Sequence, residues 1–77
     1  MTPLRRLREA RKLTLHAVAQ AVESDATNIS RVERSLQKAS PELAEKLVSY
    51  FGREAIDELQ ILYPERYAAE PEVHAHD

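Results

Sequence analysis

The run from Leu15 to Arg34, LHAVAQAVESDATNISRVER, limits the fold more than any other part of the chain. Val18, Ala19 and Val22 share one helical face, because residues three and four apart are neighbours on a helix. Ile29 and Val32 define a second apolar face. Between the two lies Glu23-Ser24-Asp25, which is polar and too short for a long antiparallel hairpin. The pattern predicts helix, tight turn, helix, with steeply crossing axes and the second helix projecting outward. The small side chain of Ala19 lets the two axes approach at their crossing. Thr14 and Asp25 are placed to cap the two helices, and the charge of Asp25 suits the positive end of the second.

At 77 residues the chain is read as one small domain. It has no cysteine, which excludes disulfides and thiolate metal sites. It also has no apolar run near 18 residues and no signal-peptide pattern, so the expectation is a cytoplasmic protein away from membranes. The net charge of −2 conceals an asymmetry. Residues 1–40 carry eight Lys or Arg against four acids, a balance of +4, and residues 41–77 carry three against nine, a balance of −6. The basic half holds the two-helix motif, as expected if that motif meets a polyanion.

The remaining segments supply the frame. Thr2-Pro3 opens a first helix expected to run to about Lys12, with Leu4, Leu7 and Ala10 inward. The outward helix should span Ala26 to Arg34, followed by a loop over 35–40. Ser40-Pro41-Glu42 is a strong helix start, and Leu43, Ala44, Leu47, Val48 and Phe51 recur at helical spacing up to Gly52. A fifth helix is expected from Arg53 or Glu54 to about Leu62, with Ile56, Leu59 and Leu62 inward. Tyr63, preceding Pro64, should be extended. Ile61, Leu62, Tyr63 and Tyr67 are read as a dimer surface, the alternative being that they fold back and finish the core. The fold class is therefore all-α, a bundle of about five short helices over residues 1–67. Residues 68–77 are expected to form a disordered acidic tail. Its His74 and His76 lack a third fixed ligand, so no metal site and no cofactor are expected.

Leu7, Arg8, Arg11, Leu13, Thr14, Val18, Ala19, Val22, Ile29, Ser30, Val32 and Glu33 together resemble the XRE-type helix-turn-helix family of phage repressor and Cro-like regulators. The resemblance covers roughly residues 4–52 and implies a lambda-repressor-like DNA-binding domain. It implies an ion pair between Arg8 and Glu33, and phosphate contacts from Gln37 and Lys38. The chain departs from the family pattern at Leu15, where Gln is usual, at Glu23-Ser24, where Gly and an apolar residue are usual, and at Ser35, where Gly is usual. Two of these positions, Glu23 and Ser35, often need a left-handed backbone.

The outward strip of the second motif helix carries chemistry suited to base edges. Arg31 offers a bidentate contact to guanine, Asn28 one to adenine, and Ala26 and Thr27 offer methyl groups to thymine. Arg11, His16, Ser30 and Arg34 join Gln37 and Lys38 as candidate phosphate contacts. The expected function is a sequence-specific transcriptional regulator, a small phage- or mobile-element-type repressor binding double-stranded DNA as a homodimer. The alternative is a protein-interaction module or antitoxin that keeps the fold and binds a toxin or other protein. An enzyme is not expected, since the chain lacks a nucleophilic cysteine and a Gly-rich phosphate loop.

Overall fold

Side-chain caps set where the helices begin. In the computed structural model, which describes residues 1–68, an oxygen of Thr2, Thr14, Asp25, Ser40 or Asp57 accepts a backbone N–H three residues on. These caps start α1 (Pro3–Ala10), α2 (Leu15–Ala21), α3 (Ala26–Glu33), α4 (Pro41–Phe51) and α5 (Glu58–Leu62). A short α6 (Glu65–Ala68) follows. The described residues are all helical apart from turns and loops, in six helices rather than about five. The expected tail falls almost wholly on residues 69–77, outside the described residues.

The helix ends follow one device used three times. Lys12, Glu23 and Ser35 have φ of 57°, 60° and 61°, each one residue beyond a helix C-cap. In each case the next amide bonds back to a carbonyl five residues earlier: Leu13 to Arg8, Ser24 to Ala19 and Leu36 to Arg31. This is the Schellman arrangement, which usually places Gly at the left-handed position. Glu23 and Ser35 take the backbone that the sequence departures implied, and Lys12 adds a third such position. A left-handed backbone costs an L-residue roughly 1–2 kcal/mol, partly offset by the entropy a glycine would lose. Ser35→Gly should therefore raise stability by about 0.5–1 kcal/mol in a thermal melt. A lower melting temperature would mean that Ser35 makes up its backbone strain elsewhere.

The core lies where α2, α3 and α4 converge under α1 and α5. Val18, Val22, Ile29, Leu47 and Ile56 are its largest fully buried side chains. Ala19 is 1% exposed, and α2 packs closely on α3, so the small residue sits at the tight crossing. Leu4, Leu43, Ala44, Val48 and Phe51 close the core, with Leu7 half-buried against it. Ala10 points to solvent instead, and α1 stops at Ala10, short of Lys12.

The main departure from expectation is at α5. The carbonyl of Gly52 accepts both Ala55 N–H (2.9 Å) and Ile56 N–H (3.1 Å), which makes residues 53–55 a turn. The helix then starts at Glu58 behind a capping box: Gln60 N–H reaches the Asp57 carboxylate at 3.0 Å, and Asp57 N–H reaches the Gln60 side chain at 3.1 Å. This later start changes which side chains face inward. Leu59 is 52% exposed rather than buried, and Ile61 is 3% exposed, inside its own core. Ile61 is thereby removed from the surface expected to meet a second copy. Tyr63, expected to be extended before Pro64, has φ −128° and ψ 59°: it leaves the helix but stops short of an extended backbone.

Candidate nucleic-acid interface

The helix α3 is held from below and, among the described residues, bare above. Ile29 and Val32 are buried on its inner side, and Glu33 is buried at its end. At about 100° per residue, Thr27, Ser30, Arg31 and Arg34 fall within one outward arc of roughly 100°. With Leu15 and Ala26 they line an open hollow of about 370 Å³ between α3 and the start of α2. Thr27 and Arg31 are exposed, and neither side chain makes a hydrogen bond or ion pair among the described residues. Arg34 is exposed and lies near the Ser30 carbonyl at 3.4 Å. His16 is exposed in the first turn of α2.

The inner end of α3 is fixed by polar contacts from α1. Arg8 donates from Nε and Nη2 to the two carboxylate oxygens of Glu33, the second at 3.2 Å. It also donates from Nη1 to the Leu13 carbonyl at 2.7 Å. The Glu33 side chain is 2% exposed and that of Arg8 is 13% exposed. The hydrogen bond to Glu33 holds the Arg8 guanidinium above its ordinary pKa, against the opposing effect of burial. Thr2 donates its hydroxyl to the Glu33 carbonyl at 2.6 Å. The ion pair inferred from family resemblance is therefore present. The contact from Thr2 is a further one that sequence reading missed, since residues 31 apart are brought together only by the fold.

Other candidate residues are engaged within the chain. Gln37 Nε2 donates to Asn28 Oδ1, and Asn28 Nδ2 donates to Ser24 Oγ at 2.9 Å. Asn28 lies about 60° beyond Arg31, toward buried Val32, off the outward arc. Arg11 sits over the Phe51 ring at 5.5 Å, away from the residues lining the hollow. Lys38 donates to the Leu62 carbonyl at 3.4 Å and lies 5.1 Å from the Tyr63 ring centroid. Arg66 packs 5.0 Å from the same ring, joining the 35–40 loop to the corner between α5 and α6. At the α2–α3 turn Lys46 bonds Glu23 at 2.9 Å, and that bond lowers the Glu23 pKa.

The matching family model is described as a helix-turn-helix domain, and it covers residues 3–60. The chain belongs to the helix-turn-helix domain family. No match was found among curated proteins or among solved structures. The match agrees with the XRE-type resemblance in the sequence, whose two-helix motif falls on α2, the turn and α3. Membership points to a DNA-binding regulator of transcription. Among the described residues no helix is long and apolar enough to cross a membrane, and no group of three or more His, Asp or Glu could hold a metal ion. His74 and His76 lie outside those residues.

Proposed function

We propose that this helix-turn-helix domain is a sequence-specific repressor that binds an operator as a homodimer. The observation that carries the reading is the outward face of α3, where Thr27 and Arg31 have no side-chain partner among the described residues, on a helix seated by a buried core. An arginine fork matches guanine O6 and N7, and methyl groups of Ala26 and Thr27 suit thymine. Ser30 and Arg34 flank that strip, where phosphates border a groove, and His16 is exposed in the first turn of α2. Leu59 is 52% and Tyr63 39% exposed, and with half-buried Leu62 and Tyr67 they form the apolar surface that a second copy would cover. Two copies so joined would present their α3 helices to successive major grooves roughly 34 Å apart. Repression would follow from occupying the DNA that a polymerase needs.

The test is a mobility shift on duplexes selected from a random pool, with sedimentation of the free protein and of the complex. Binding should be two copies per selected site, and its logarithmic salt slope should be about −0.9 per neutralised phosphate. If no duplex is enriched, or if binding ignores salt, the proposal is wrong. Lys38→Ala should weaken selected and random DNA about equally and make the salt slope shallower by about 0.9, because a phosphate contact carries no sequence information. A change in base preference in that variant would move Lys38 from phosphate to base contact. The protein-interaction or antitoxin reading draws on the same exposed Leu59 and Tyr63. A stoichiometric protein partner whose binding survives Arg31→Ala would favour it.

A further inference from the structure

Asn28 is the residue of α3 whose chemistry best suits adenine, and both ends of its amide are occupied within the chain. Its Oδ1 accepts from Gln37 and its Nδ2 donates to Ser24 at 2.9 Å. Ser24 belongs to the α2–α3 turn and Gln37 to the loop leading to α4. The three side chains thus form one polar chain across the end of the helix-turn-helix. Asn28, Ser24 and Gln37 line a hollow of about 290 Å³ with Ser40 and Lys46. Thr27, Ser30, Arg31 and Arg34 line a different one. Lys38 follows Gln37 directly and is tied on its far side to the Leu62 carbonyl.

We infer that Asn28 and Gln37 are a brace that fixes the 35–39 loop, and Lys38 with it, relative to α3, and that neither side chain contacts DNA. The inference rests on the proposed DNA-binding function and assigns base readout to Thr27 and Arg31 instead. An amide carries two donors and two lone pairs. A bidentate adenine contact needs a donor and an acceptor of Asn28 free on one exposed edge. The side chain is only half exposed, lies off the outward arc, and has an oxygen already covered by the Gln37 amide. Gln37 in turn has one of its two amide donors committed to Asn28, which turns its head group toward α3. Both positions are thereby positioning residues for the loop.

The brace exists without DNA, so it can be tested with and without it. In the free protein, Asn28→Ala should lower the NMR order parameters of the Gln37, Lys38 and Ala39 amides while leaving α2 and α4 unchanged. On DNA, Asn28→Ala and Gln37→Ala should each weaken selected and random duplexes by the same factor, about three- to tenfold, what one net hydrogen bond is worth. The double variant should be no weaker than the worse single one, since both changes break the same contact. Base preference should be unchanged at every operator position. Relaxed preference at one base pair in Asn28→Ala would overturn the inference, as would weaker binding to both duplexes in Gln37→Ala with Asn28→Ala binding as the parent does. Unchanged loop order, or unchanged affinity in both variants, would also overturn it. Should the parent bind no duplex, the DNA-binding proposal fails, and the loop order alone decides whether the brace exists.

Discussion

Glu33→Ala should lower the stability of the free domain by about 3–5 kcal/mol, the cost of leaving a buried charge without its partner. The Glu33 side chain is 2% exposed and that of Arg8 is 13% exposed, so little of this is screened by solvent. Typical stabilities of about 0.05–0.15 kcal/mol per residue give a chain of 77 residues roughly 4–11 kcal/mol in total. One substitution thus removes about a quarter of that stability or more, and the melting temperature should fall by more than about 10 °C. The loss has a definite route. Arg8 would be left partly buried at the end of α3, still bonded to the Leu13 carbonyl and with Glu9 at 3.9 Å, but with both of its hydrogen bonds to Glu33 gone. Glu33→Leu combined with Arg8→Met should restore much of the stability, because a buried pair replaced by apolar groups of similar size is often neutral. DNA binding by Glu33→Ala should fail on heating in step with the fold, with base preference intact below the melt. A melt of Glu33→Ala matching the parent would show that the pair seats α3 without stabilising it.

The contrast between Glu33 and Arg31 also shows what could be read from the sequence. Caps at Thr2, Thr14, Asp25 and Ser40, and the apolar spacing of α2 to α4, are local signals, and each agrees with the structure. The start of α5 was also encoded locally, as Asp57 and Gln60 three residues apart. The apolar period of Ile56, Leu59 and Leu62 masked that capping box, and the turn from Gly52 displaced the helix start from Arg53 or Glu54 to Glu58. Placing Leu59 inward and Ile61 outward followed from that one displaced boundary. Glu23 and Ser35 were legible as left-handed positions only through family resemblance, because neither residue type signals that backbone. Thr2 to Glu33, and Gln37 to Asn28, were not legible at all. Such bonds join side chains whose proximity the tertiary fold creates, and hydrogen-bonding capacity alone names no partner.

These long-range polar contacts separate two tasks on a single eight-residue helix. The inner side of α3 is fixed by the core, by Arg8 and by the Thr2 hydroxyl. Its flank is tied to the following loop through Asn28 and Gln37. On the remaining arc, Thr27 and Arg31 carry polar side chains with no hydrogen bond or ion pair among the described residues. A rigid seat matters because base contacts discriminate only when the donor geometry is set before the DNA arrives. An arginine on a mobile helix would find a phosphate instead, since phosphates outnumber guanine edges along a duplex.

Arg31→Ala should therefore weaken binding to selected DNA by about 1–3 kcal/mol and relax preference at one base pair of each half-site. Random DNA should be weakened much less, by the loss of one positive charge. The free protein should melt as the parent does, because Arg31 is exposed and makes no side-chain bond among the described residues. Arg31→Lys sharpens the test. It keeps the charge and loses the planar fork, so it should retain random binding and still lose preference at that base pair. If both substitutions weakened selected and random duplexes equally, Arg31 would be a phosphate contact, and sequence reading would rest on Thr27 and its neighbours. The expected stability of the Arg31 variants is what makes the comparison decisive: unlike Glu33→Ala, they should change recognition while leaving the helix in its seat.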